Sequence, residues 1–255
     1  MIRLFSLLYA MSLATIIADR NVSQQDSLGT IFPILKNQDK KILFSGIQWS
    51  VRNISETQGP GPNYFSEQSV WVDENGFLHL YLHKDSLSGD WLCAEITSAG
   101  KYDYGNYSFL VQGAIDKLDK NIVLGLFNYS GHDGYDEMDI EFGRWGNANY
   151  PNLNYTLWPA EKGFKNSSYT KEYSQENSIS TQQFIWTKDT VIFSTFKRDS
   201  EDPSNLVATY TCVQPSASIS HMPMPVHINL WLFDGKPPED NKPVEVIIRK
   251  FTFHK

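Results

Sequence analysis

Apolar and polar residues alternate with a period of two along most of this chain, the signature of β-strands that keep one face on a core. The clearest case is residues 77–83, where Leu78, Leu80 and Leu82 alternate with His79, Tyr81 and His83. It is preceded by Val70-Trp71-Val72, and Asp73-Glu74-Asn75-Gly76 between them has the Asn-Gly chemistry of a tight hairpin. Residues 91–98 place Cys93, Glu95 and Thr97 on one side and Ala94 and Ile96 on the other. Segments 107–113, 121–129, 184–186, 191–196, 207–213 and 244–253 continue the pattern. Two further segments are polar on one face: 152–158, with Asn152, Asn154, Thr156 and Trp158, and 227–233, with His227, Asn229, Trp231 and Phe233. Folding is expected to begin near Ile42, with Trp49 and Val51 opening a strand. Gly59-Pro60-Gly61-Pro62-Asn63 must be a loop, and Asn63 at its end is either a ligand-reaching residue or a turn residue. Residues 162–182 are polar without a helical stripe and read as a long surface loop. Many turns and almost no helical period predict an all-β protein, an antiparallel β-sandwich.

One stretch departs from ordinary strand composition. In Asp136-Glu137-Met138-Asp139-Ile140-Glu141-Phe142, the side chains of Glu137, Asp139 and Glu141 share one face and Met138, Ile140 and Phe142 the other. Like charges so close repel, so an all-acid face implies a reason to tolerate strain. At about 3.3 Å per residue the Cα atoms of Glu137 and Glu141 lie roughly 13 Å apart. Side chains leaning inward bring the carboxyls to about 5 Å, the separation at which a retaining glycosidase places its nucleophile and its acid/base. Asp139 between them can share a proton with one Glu, and the cluster raises at least one pKa, so that acid and base coexist. The three titrate together.

The run Glu-Met-Asp-Ile-Glu-Phe resembles the uninterrupted Glu-x-Asp-x-Glu signature of glycoside hydrolase family 16, in the form found in licheninases (β-1,3-1,4-glucanases). The resemblance implies Glu137 as nucleophile, Asp139 as its assistant and Glu141 as general acid/base. Cys93-Ala94-Glu95-Ile96 with Tyr104-Gly105 is similar to a licheninase segment whose Glu binds sugar, which makes Glu95 a binding residue; the family's following Arg is Thr97 here. Its disulfide partner for Cys93 is missing near Pro62-Asn63. Gly125-Leu126-Phe127 resembles the strand beside the catalytic one, and Ile228-Asn229-Leu230-Trp231 resembles a Met-Asn-Leu-Trp strand near the cleft. The resemblance adds Asn229 and Trp231 to Glu95 as candidate substrate-binding residues; Asn63 at its loop end, Trp145 in an exposed-looking turn, and Asn154 and Trp158 on a strand that would neighbour the acid strand join them from their own positions, with core packing or turn roles as the alternatives for Trp145, Trp231 and Asn63. The implied fold is a concanavalin-like β-jelly roll with a concave substrate cleft. It spans roughly residues 45–253, within a domain of residues 41–255. No cofactor is expected, and of metals only the structural calcium seen in relatives, for which no ligand loop can be named.

Composition narrows the partners. Net charge −7 and pI near 5.4 argue against nucleic acid, and 14% aromatic residues suit sugar rings as well as a β core. Arg3 followed by the short apolar run 4–17, with cleavage after Ala18, reads as an export signal (1–18), followed by a flexible lead-in (19–40). No later stretch spans a membrane. The expectation is a secreted or periplasmic monomer without a membrane anchor, acting on a polysaccharide. Cys93 and Cys212 form either a disulfide or two buried thiols. Sequons stand at Asn21, Asn53, Asn106, Asn128, Asn154 and Asn166, and a strand at 152–158 disfavours glycosylation of Asn154. The leading reading is a retaining endo-β-glucanase on mixed-linkage or β-1,3-glucan, with galactan as another substrate and transglycosylation as a variant. Its rivals are a non-catalytic lectin on the same fold, a metal-dependent exonuclease using Asp139-Ile140-Glu141, and an acidic solvated strand face.

Overall fold

A computed structural model describes residues 40–175, 178–212 and 218–255. The export signal, nearly all of the lead-in and the Asn21 sequon lie outside the described residues. The alternation yields strands β1 (Lys41–Phe44), β2 (Ile47–Val51), β3 (Tyr64–Phe65), β4 (Val70–Val72), β5 (Leu78–Lys84), β6 (Trp91–Tyr102), β7 (Gly105–Gln112) and β8 (Ile122–Tyr129). The second half supplies β9 (Glu137–Phe142), β10 (Leu153–Trp158), β11 (Ser167–Lys171), β12 (Ile179–Trp186), β13 (Val191–Lys197), β14 (Leu206–Cys212), β15 (Met224–Leu232) and β16 (Val244–His254).

These strands form one hydrogen-bonded array folded over on itself, in the order β11-β10-β9-β8-β15-β6-β5-β16-β7-β12-β13-β14. β2 extends the β6 side and pairs with β1, and β4 pairs with β5. All named pairings are antiparallel except β3 with β6. The result is a nearly closed, jelly-roll-like sandwich. One layer runs from β11 to β6; the other runs from β5 to β14. Leu78, Leu80 and Leu82 of β5, Phe109 and Val111 of β7, and Leu124 and Leu126 of β8 are fully buried between them. So are Met138, Ile140 and Phe142 beneath the acid strand. Each such side chain contributes about 1.5–3 kcal/mol by leaving water.

Residues 162–182 are not one long loop. β11 forms within them as an edge strand on β10, and β12 begins at Ile179, earlier than its apolar part suggests. The reason is that Ser180 and Gln182 face the inter-sheet space and are satisfied there. Gln182 Nε2 donates to Ser180 Oγ (2.9 Å), Thr195 Oγ1 donates to Gln182 Oε1 (2.6 Å), and Tyr155 Oη and Thr195 Oγ1 are 2.6 Å apart. A buried polar chain of this kind erases the hydrophobic alternation that sequence reading relies on. Cys93 and Cys212 are free and buried, and burial raises their pKa to about 12 and about 11, so they form no disulfide and are poor nucleophiles.

Ile140 anchors the acid strand from below, wholly buried in the core. Ile140→Ala is expected to lower unfolding free energy by about 2–5 kcal/mol, read as a shift in urea midpoint with unchanged slope.

Candidate active site

The outer face of the first layer is assembled by register. On β9 the outward set is Glu137, Asp139 and Glu141, opposite Trp158, Thr156 and Asn154 on β10 and Tyr129, Phe127 and Gly125 on β8. Beyond β8, Gly125 faces Asn229 and Phe127 faces His227 on β15. Asn229 in turn faces Glu95 and His227 faces Thr97 on β6. Side chains from five adjacent strands therefore share one surface, with the acids near one side and Glu95 at the other.

The acids are held in a protonation ladder. Burial raises the pKa of Glu137 to about 7; a hydrogen bond with Asp139 pulls it down and the charge of Asp133 adds to it. Burial raises Asp139 well above the usual carboxylate range, and the charges of Glu137 and Glu141 push in the same direction. Glu141 rises to about 8, again by burial and then by the charge of Glu137. Trp158 Nε1–H donates to Asp139 Oδ2 at 2.9 Å, which fixes the middle carboxyl. The stable arrangement near neutrality is a neutral Asp139 whose proton serves Glu137. Glu137 is then the first of the outer pair to ionise, while Glu141 keeps its proton.

A second charged group stands across the face. Glu95 is 6% exposed, with Oε2 accepting from Arg52 Nη1 at 2.8 Å and Oε1 lying 3.4 Å from His227 Nδ1. Burial by itself would raise its pKa, but the His227 hydrogen bond and the Arg52 charge hold it below the ordinary value, so Glu95 is an ionised acceptor. Arg52 is fixed from behind: Nη2 donates to Gln58 Oε1 and to Gly59 O, and its guanidinium lies 4.1 Å from the Phe65 ring centroid. His227 stacks on Phe127, with centroids 5.0 Å apart.

The other candidates fall differently. Trp158 is half-buried beside the acids, and its indole N–H is spent on Asp139. Asn229 shares the face and is 2% exposed, with Oδ1 lacking a partner among the described residues. Asn154 lies opposite Glu141, but its amide donates to Gly143 O (2.9 Å) and to Asn152 O (3.4 Å), so it secures the end of the strand pair and has no free donor aimed at a ligand. Asn63 is a correction: its amide is buried and donates to Pro60 O and Leu232 O, which ties the Gly-Pro loop to the end of β15. Trp231 is 5% exposed, packed 6.2 Å from Trp145, and Trp145 also meets Phe233 at 5.8 Å. Trp231 is thus packing, while Trp145 is half-buried at the rim. Sequence reading missed Arg52, whose partner is 43 positions away, and Gly125, which has no Cβ to collide with the Asn229 side chain lying against it. The alternation that put His227 on this face was the only local signal for its role. Among the described residues no group of three or more His, Cys, Asp or Glu side chains is placed to hold a metal ion.

No family model matches the chain, and neither does any curated protein by sequence. Solved structures do match by fold. A β-glucanase of Bacillus licheniformis superposes with TM-score 0.61 at 19% identity, covering 87% of this chain and 100% of the other. A prokaryotic β-1,3-1,4-glucanase (lichenase) from a mouse hindgut metagenome gives 0.60 at 18% identity, covering 80% and 92%. A Mycobacterium tuberculosis protein described as an immunostimulatory antigen and pseudo β-1,3-glucanase gives 0.60 at 14% identity, covering 79% and 88%. The fold of this chain is therefore that of the β-glucanases. At these identities fold is what is shared, and the third neighbour illustrates that it does not by itself fix activity.

The raised pKa values carry a sign. Between about pH 4.5 and about 8 the folded protein holds protons on Glu137 and Glu141 that the unfolded chain has released, so stability falls as pH rises through that window. Glu141→Gln should melt higher than the parent above the window and coincide with it below, since each tenfold gain in proton affinity on folding corresponds to about 1.4 kcal/mol. Thermal melts across a pH series check this. A gap between variant and parent that does not widen toward alkaline pH would mean that the carboxylates are not strained.

Proposed function

We propose that this protein is a secreted, retaining endo-β-glucanase acting on mixed-linkage or β-1,3-linked glucan. The observation that carries the reading is the acid row of β9: two outer carboxyls with ordered, raised pKa values, and a neutral middle one pinned by Trp158. In the first step the Glu137 carboxylate attacks the anomeric carbon. The glycosidic C–O bond breaks, and the Glu141 proton passes to the leaving oxygen. Asp139 donates its hydrogen bond to Glu137 and adapts as charge leaves that carboxylate. In the second step Glu141, now ionised, takes a proton from water, whose oxygen attacks the same carbon and frees Glu137. The configuration is inverted twice and so retained.

The ladder fits this division of labour, since the nucleophile must be ionised while the acid is protonated. Two fold neighbours are described as acting on β-1,3-1,4- or β-glucan, which supports the polymer class. Export is supported by the basic start and short apolar run at the N-terminus. A binding-only role is the second reading, favoured by the pseudo-glucanase among the neighbours. It leaves three strained carboxyls without a purpose.

The purified protein should release oligosaccharides from one or more of barley-type mixed-linkage glucan, β-1,3-glucan and galactan. Glu137→Gln should fall to the assay floor on the same polymer, and Glu141→Gln should lose about 10²–10⁴-fold in kcat. Proton NMR of the first product should show the β-anomer. Equal activity of parent and Glu137→Gln, or an α-anomer, overturns the mechanism.

The pH dependence of kcat/KM supplies a separate check. A narrow bell is expected, its acid limb set by Glu137 at about 7 and its alkaline limb by Glu141 at about 8. Glu141→Gln should abolish the alkaline limb; an unchanged limb would assign it to another group.

A further inference from the structure

The acid strand begins at a left-handed backbone turn. Asp136, the residue before Glu137, has φ +50°, in a region that few residues other than Gly, Asn and Asp enter. It is clamped there from both sides. Its N–H donates to Pro159 O at 3.1 Å, just past the end of β10, and its carbonyl accepts from Ser130 N at 3.1 Å, just past the end of β8. The loop between them, residues 130–135, is closed on itself: Tyr135 N donates to His132 O (3.0 Å) and His132 N to Ser130 Oγ (3.2 Å). A side-chain bond then ties it to the sheet, with Tyr129 Oη donating to Asp133 Oδ1 at 2.6 Å. Tyr129 lies directly opposite Glu137 in register, on the face that carries the acids. The turn therefore folds the loop toward that face, and Asp133 arrives on the side of Glu137.

Few charges surround Glu137. Asp139 and Glu141 follow it on its own strand, Tyr129 faces it from β8, and the loop carries His132, Asp133, Tyr135 and Asp136. From β10 the same face receives only Asn154, Thr156 and Trp158, which are neutral. Burial is the main reason that Glu137 keeps its proton; the Asp139 hydrogen bond opposes it and the charge of Asp133 adds to it. Asp133 itself is exposed, so its hold on a buried acid depends on where the loop is fastened.

We propose that Asp136 and Asp133 are positioning residues for the nucleophile: the left-handed turn at Asp136 folds the loop back, Tyr129 fastens it, and the Asp133 carboxylate so placed governs the pH at which Glu137 becomes a nucleophile. The inference rests on reading Glu137 as the nucleophile of a hydrolase and deepens it. Asp136 acts through its backbone and Asp133 through its charge, and those two roles separate by substitution.

Carbon-13 NMR of glutamate carboxyls in the full-length protein reads Glu137 without any need of activity; its resonance is the one lost in Glu137→Gln. The midpoint should move to lower pH by about half a unit in Asp133→Asn, the size of one screened charge at short range. Asp136→Val, which is strained in the left-handed turn, should move it the same way, and adding Asp133→Asn to Asp136→Val should then move it no further. Asp136→Gly takes the same φ freely and should stay with the parent. Gly and Val remove the same carboxylate, so the gap between them reads the turn and not the Asp136 charge. If Asp136→Val does not fold, Asp136→Ala asks the same of the backbone more mildly, and the Asp133→Asn arm stands by itself. An unmoved midpoint in Asp133→Asn, or Asp136→Gly moving with Asp136→Val, overturns the proposal. On polymer, the acid limb of kcat/KM should follow the NMR midpoints from variant to variant. Midpoints that move as stated in a protein that cleaves no glucan overturn the hydrolase while the control of Glu137 ionisation stands; cleavage with midpoints that stay put overturns the present inference alone.

Discussion

Three carboxyl groups held on one face of a single strand, in a setting dry enough to penalise their charge, are the constraint around which the rest of this molecule is arranged. In water such a row would ionise and spread apart. On β9 it cannot spread, because Met138, Ile140 and Phe142 on the opposite face are locked into the core. The repulsion is relieved instead by retained protons, on Asp139 above all. Strain in the site and close packing under it are thus one device: the buried face fixes the spacing that the outward face would relax.

The neighbouring strands complete this setting in two different ways. On the β10 side, Trp158 gives Asp139 a donor and Asn154 secures the strand end. On the β8 and β15 side, the absence of a side chain at Gly125 lets Asn229 Oδ1 lie against the strand, and His227 and Glu95 follow it across the face. The charge logic reverses across this distance. The β9 acids are pushed up by burial and by one another's charge, whereas Glu95, equally buried but with His227 and Arg52 beside it, is held down. One face thus presents protonated carboxyls on β9 and a fixed ionised acceptor on β6.

Pattern reading found the strands whose inner faces are aliphatic, and it found the acid row, because both are local properties of period two. It failed at β11 and at the start of β12, where the buried face carries Ser180, Gln182 and their partners. Polar residues that satisfy each other across 13 or more positions look like loop residues until the pairing is known. The same limit explains Asn63 and Trp231. Amide and indole side chains suit sugars and suit the interior equally well, and only their buried contacts decide.

The sequence by itself determined the all-β architecture, the core faces and the fact that Glu137, Asp139 and Glu141 point the same way, since alternation within a strand needs no knowledge of its neighbours. Which strands lie beside β9 was decided by the tertiary structure, because register is set by packing over the whole sandwich. That alone brought Trp158 to Asp139, laid Asn229 against Gly125 and carried Arg52 to Glu95. Proton affinities followed from it too, for they depend on the dryness and the charges that distant segments bring to the site.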